Sequence, residues 1–169
     1  MMHIKSGFTL IELMVVLALF ALVATLGVMQ LSFLDQTIVH AQVDKFAAAC
    51  SYLQQKAMAS NNEQQLVCNE QKNEYRGGNV NETLSSRVCF SFLPNTLGSP
   101  GSPSRVIKKA ITFPESTIHF YPTGIISSGT IYLTDINKKY MYALSNAVSQ
   151  VSYLRRYRYD GRWKLLNSS

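Results

Sequence analysis

Gly7-Phe8-Thr9-Leu10-Ile11-Glu12-Leu13 opens a run in which no charge follows Glu12 until Asp35. Leu13 to Leu34 is 22 uncharged positions, and about 20 apolar residues suffice for a helix to cross a bilayer. A carboxylate at the edge of such a segment is costly in lipid unless it is paired. No Lys or Arg lies within one helical turn on its C-terminal side. The partner of Glu12 is therefore expected to come from elsewhere.

Working outward, the chain has 169 residues and a formal net charge of +6. That suits one modest domain plus a membrane segment. Residues 138–169 hold Lys138, Lys139, Arg155, Arg156, Arg158, Arg162 and Lys164 against Asp160 alone. That end carries the whole surplus, and the remainder is close to neutral. Cys50, Cys68 and Cys89 show no C-x-x-C spacing, and His3, His40 and His119 are scattered. Neither a metal site nor a haem attachment is implied, and no cofactor is expected. If the domain lies outside the cytoplasm, Cys68–Cys89 is the preferred disulfide, since both sit in strand-like runs joined by a polar loop. Buried free thiols are the alternative.

Residues 1–7 are short and basic through Lys5, which places the N-terminus on the cytoplasmic side. A secretory signal peptide fits poorly, because the apolar stretch is too long and the cleavage pattern around Ala21–Thr25 is weak. A plain single-pass anchor leaves Glu12 unexplained. Beyond Leu34, Val39, Val43, Phe46, Cys50, Leu53 and Ala57 recur at helical spacing, one continuous apolar stripe. Ser60-Asn61-Asn62 is the expected stop. A helix from Phe8 to Ser60 would run on the order of 80 Å.

After Asn62 the pattern changes to short β-type runs: Gln65–Asn69, Arg87–Leu93, Val106–Phe113, Thr117–Tyr121, Gly129–Thr134, Tyr140–Leu144 and Gln150–Tyr159. Glu70–Ser86 reads as polar connection, and Gly98-Ser99-Pro100-Gly101-Ser102-Pro103 as a loop. The expected fold class is α+β: a long N-terminal helix, its first half transmembrane, packed against a mostly antiparallel sheet domain. The expected divisions are 1–7, 8–34, 35–62 (the amphipathic continuation of the helix) and 63–169.

The N-terminal stretch resembles the class III signal of the type IV pilin-like superfamily: a basic leader, a Gly–Phe junction, a Glu at fixed distance and a spanning helix. The resemblance implies that residues 1–7 are a leader. A prepilin peptidase would cut between Gly7 and Phe8 and methylate the new N-terminus. The amine freed at Phe8 of one subunit could then pair with Glu12 of its neighbour, where low dielectric strengthens the attraction. Phe46 to Asn69, Ile118-His119-Phe120-Tyr121-Pro122-Thr123-Gly124 and Ser128-Gly129-Thr130-Ile131 are similar to the GspH/FimT group. That group comprises minor pseudopilins of type II secretion and related minor pilins. It implies a structural subunit of the bacterial inner membrane, with its C-terminal domain periplasmic and other pseudopilin or pilin subunits as partners. The subunit would stand at the tip of a pseudopilus or pilus or act in starting its assembly, and no enzyme activity is implied.

Gly27 reads either as a helix-packing glycine or as a soft spot in the helix. The C-terminal tract interleaves Arg155, Arg156, Arg158, Arg162 and Lys164 with Tyr153, Tyr157, Tyr159 and Trp163. Basic groups neutralise phosphates and aromatics stack on bases, and Gly161-Arg162-Trp163-Lys164 is loosely similar to a basic tail of DNA-uptake minor pilins. The alternatives are a charged edge strand or contact with lipid headgroups or acidic partners.

Overall fold

The computed structural model describes residues 9–98, 104–146 and 153–166, the side chains of 24–34 excepted. The chain divides into two compact units, Met1–Leu34 and Asp35–Ser169. Helix α1 spans Leu10–Ser60. In the first unit its side chains through Val23 are almost all apolar and exposed, Leu10 by 77%. Among the described residues no helix is long and apolar enough to cross a membrane.

The second unit is α+β. Nine strands follow the helix: β1 Gln64–Asn69, β2 Glu74–Gly77, β3 Val80–Thr83, β4 Val88–Phe90, β5 Thr117–Phe120, β6 Gly129–Asp135, β7 Met141–Asn146, β8 Arg155–Tyr159 and β9 Trp163–Leu166. They form two antiparallel sheets, in the orders β3-β2-β1-β5 and β4-β6-β7-β8-β9. The stripe Val39, Val43, Phe46, Cys50, Leu53 and Ala57 is buried to 1% exposure or less. It shares one core with Leu66, Cys68 and Tyr75 of the first sheet and Phe90, Ile131, Leu133, Tyr142 and Leu144 of the second. Each large side chain buried there stabilises the fold by about 1.5–3 kcal/mol. Helix α1 ends where Asn61 takes a φ of +51°, a conformation that stops helices and that Asn tolerates.

Strand alternation sends the other residues of the second sheet to its opposite face. There Tyr132, Met141, Ala143 and Tyr157 make a smaller core under Ile107.

Three strand expectations change. Glu70–Ser86, read as connection, contains the β2–β3 hairpin; only Tyr75 of its strands enters the core, so the pattern looks polar. Its fit depends on Gly77, where a Cβ would lie 2.1 Å from the Gln65 carbonyl oxygen. Val106–Phe113 forms no strand; it touches its neighbours through single bridges, Leu97 with Val106 and Ile111 with Ile131. Of the expected Gln150–Tyr159 run, 150–152 lies outside the described residues, and the remainder is an inner strand, because β9 takes the edge.

Candidate functional site

Of the predicted processing and assembly residues, Gly7 and Phe8 lie outside the described residues. Glu12 stands in the first turn of α1. Thr9 precedes the helix, and its N–H and its hydroxyl both donate to Glu12 Oε2 at 2.9 Å. The Glu12 N–H in turn donates to Thr9 Oγ1 at 3.3 Å. This is a capping box, Thr at the N-cap and Glu at the third helical position, each satisfying an end N–H of the other. The expectation that the partner of Glu12 comes wholly from elsewhere is thus corrected: within the chain its carboxylate has Thr9. Both bonds fall on Oε2. Oε1 accepts none among the described residues, which leaves lone pairs facing outward for a further donor. The signal for Thr9 was present as Thr-x-x-Glu.

Around this cap, Leu10, Ile11, Leu13, Met14 and Leu17 are each more than half exposed. Contiguous apolar surface of this kind marks contact with other proteins or lipid. The site is thus an exposed apolar helix start that carries one half-satisfied carboxylate.

The C-terminal cations are engaged to different degrees. The Arg156 guanidinium pairs with Asp44 of α1, Arg158 lies 3.6 Å from Asp160, and Lys164 lies 2.6 Å from the same carboxylate. Arg155 donates to the Tyr153 hydroxyl at 2.8 Å and lies over its ring. Tyr157 is buried, and Trp163 packs against Tyr159 and Tyr132 with ring centres 5.1 and 5.9 Å away. Its indole N–H donates to the Leu97 carbonyl at 3.2 Å. Arg162 is exposed, with no acidic partner among the described residues.

Cys50, Cys68 and Cys89 are all free thiols. The expected Cys68–Cys89 bond is not formed. Cys68 enters the helix-side core, whereas Cys89 lies between Val88 and Phe90, which take the core positions, and so faces the other way. Cys89 Sγ lies 3.5 Å from Thr134 Oγ1. Burial pushes the Cys68 thiol up to about 12 and the Cys50 thiol well above its ordinary value. Both are packing groups rather than nucleophiles.

His119 Nδ1 lies 2.6 Å from Glu63 Oε1, and its ring stacks on Tyr121. Among the described residues no cluster of three or more His, Cys, Asp or Glu side chains could hold a metal ion.

Residues 2–28 match the family described as the prokaryotic N-terminal methylation motif. No curated protein and no solved structure matches the chain. The motif supports a type IV pilin-like protein, a structural subunit that is processed by a prepilin peptidase and assembles with other pilin subunits.

Proposed function

We propose that this chain is a minor pseudopilin or minor pilin of the GspH/FimT kind. Residues 1–7 are its leader, removed between Gly7 and Phe8, with methylation of the new N-terminus. Residues 8–34 anchor it in the inner membrane, with the N-terminus cytoplasmic and the domain periplasmic. Residues 35–62 continue the helix, and 63–169 form the β-rich domain. The subunit is then built into a type II secretion pseudopilus or a type IV pilus, at the tip or in the initiation of assembly. The observation that carries this reading is the methylation motif over residues 2–28.

The capping geometry supports a role for Glu12 in assembly. A cut after Gly7 leaves Thr9 and Glu12 in the mature chain, so Oε2 keeps its two donors. Oε1 is then free for the ammonium of a neighbouring Phe8, and a carboxylate accepts both.

The alternative, a DNA-binding minor pilin for natural transformation, draws less support from the geometry. Arg156, Arg158 and Lys164 already face carboxylates, Tyr157 is buried in the smaller core, and Trp163 is packed against Tyr159 and Tyr132.

The test is a pair of variants in the native host. Gly7→Glu should block processing. Glu12→Leu should be processed normally yet fail to co-purify with neighbouring subunits. Normal incorporation of Glu12→Leu would sink the pairing account, and an unprocessed Glu12→Leu would show that Glu12 serves the peptidase instead.

A further inference from the structure

The cations of the second sheet gather at one of its ends. The β6–β7 and β8–β9 turns lie together, because Met141 pairs with both Thr134 and Tyr159. Strand β4 starts at the same end: Val88 stands opposite Asp135, and the Ile136 N–H donates to the Arg87 carbonyl at 2.9 Å. Arg87 reaches Asp35 of α1 at 3.2 Å. Gln36 lines a cleft of about 350 Å³ with Lys139, Arg158, Asp160 and Gly161. This end of the sheet therefore stands level with Asp35, the first charged residue after the uncharged run.

The rim holds Arg87, Lys138, Lys139, Arg158, Arg162 and Lys164 against Asp35, Asp135 and Asp160. Six cations against three carboxylates leave a surplus of three. Asp135 is turned inward, where it accepts the backbone N–H groups of Asn137, Lys139 and Tyr140. Lys138 and Arg162 have no acidic partner among the described residues and are exposed. Ile136, bonded through its N–H to the Arg87 carbonyl, projects from the same turn as Lys138 and is 64% exposed.

An apolar tip flanked by ammonium and guanidinium groups suits a layer of anionic headgroups. The isoleucine enters the acyl boundary while the cations meet phosphates. We propose that this rim docks the β-rich unit onto anionic phospholipid. The inference rests on the membrane reading of residues 8–34, since Asp35 is where the chain would leave the bilayer.

The experiment uses the full chain reconstituted into vesicles of phosphatidylcholine, with or without about one third phosphatidylglycerol. An environment-sensitive fluorophore is placed at Ile136→Cys in a Cys89→Ser background, and flotation is scored on the same samples. The expected result is a blue-shifted emission, shielded from an aqueous quencher, only with phosphatidylglycerol. Lys138→Gln, Lys139→Gln and Arg162→Gln together should remove the difference, since each near-surface cation contributes about fivefold and three about a hundredfold. Floating chain with identical emission in both vesicles overturns the proposal alone, as does a difference that survives the triple substitution. Chain that fails to float overturns the membrane reading and the proposal with it. Emission that responds to added DNA or polyglutamate but not to phosphatidylglycerol assigns the rim to a soluble polyanion and also overturns it.

Discussion

Phe46→Ala should separate the helix from the domain it carries. Phe46 is fully buried, and its ring meets Tyr75 edge-on at 4.7 Å and Phe90 at 6.3 Å. Tyr75 belongs to the first sheet and Phe90 to the second, so one side chain bonds α1 to both. Truncating a buried Phe costs about 3–5 kcal/mol, the edge-on ring contacts included. Taking about 4 kcal/mol, the variant loses a large part of the roughly 5–15 kcal/mol of an ordinary domain. The assay is urea unfolding of the full chain in mild detergent, followed by fluorescence of Trp163, the chain's single tryptophan. With a slope near about 1.5 kcal/mol per molar, the midpoint should fall by roughly 2.5 M with the slope unchanged. Tyr52→Ala, on an exposed part of the same helix, should stay within about 0.5 kcal/mol. A loss for Phe46→Ala below about 1 kcal/mol would refute the claim that this stripe joins the helix to both sheets. In the proposed function the consequence is mechanical: a subunit drawn out by its helix brings its domain only if that junction holds.

Three further outcomes follow from single contacts. A hydrogen bond with His119, and a smaller one from Gln65, hold the Glu63 carboxyl below its ordinary value. Its contribution to stability is therefore complete above about pH 4.5, the unfolded value, and is lost as pH falls through the lower folded value. Unfolding midpoints of wild type and Glu63→Gln should converge below that window; a constant gap would contradict the assignment. A thiol reagent on the native chain should modify Cys89 and spare Cys50 and Cys68 until denaturant is added, whereas a Cys68–Cys89 bond would show only one titratable thiol on unfolding. Gly77→Ala should destabilise by more than about 2 kcal/mol, because the added carbon meets backbone rather than a side chain that could turn away; a neutral result in the same urea assay would show that β1 and β2 can part at that point.

The apolar stripe was legible because a helix that covers a sheet must repeat near every third or fourth residue, and Val39 through Ala57 do so without interruption. The β2–β3 hairpin was hidden because its outer face meets water and only Tyr75, with Val80 partly covered beside the core, is apolar and turned inward, so alternation left almost no mark. The reverse error arose at Val106–Phe113, where buried Ile107, Ala110, Ile111 and Phe113 look strand-like but cover the sheets without a continuous ladder. The facing of Cys89 depends on the register of a three-residue strand, which no local pattern states. At the site, the position of Glu12 and its need for a partner could be read directly. The capping role of Thr9 was also legible as Thr-x-x-Glu, a neutral donor three residues before the carboxylate rather than an opposite charge.

The central claim is that the chain is matured by a cut between Gly7 and Phe8, which leaves the Thr9–Glu12 cap at the new N-terminus. It is tested most directly by mass spectrometry of the N-terminal peptide from chain isolated from its native membrane. The account predicts a first residue of N-methylated Phe8. A first residue of Met1 or Met2, or a cut beyond Glu12, would contradict it.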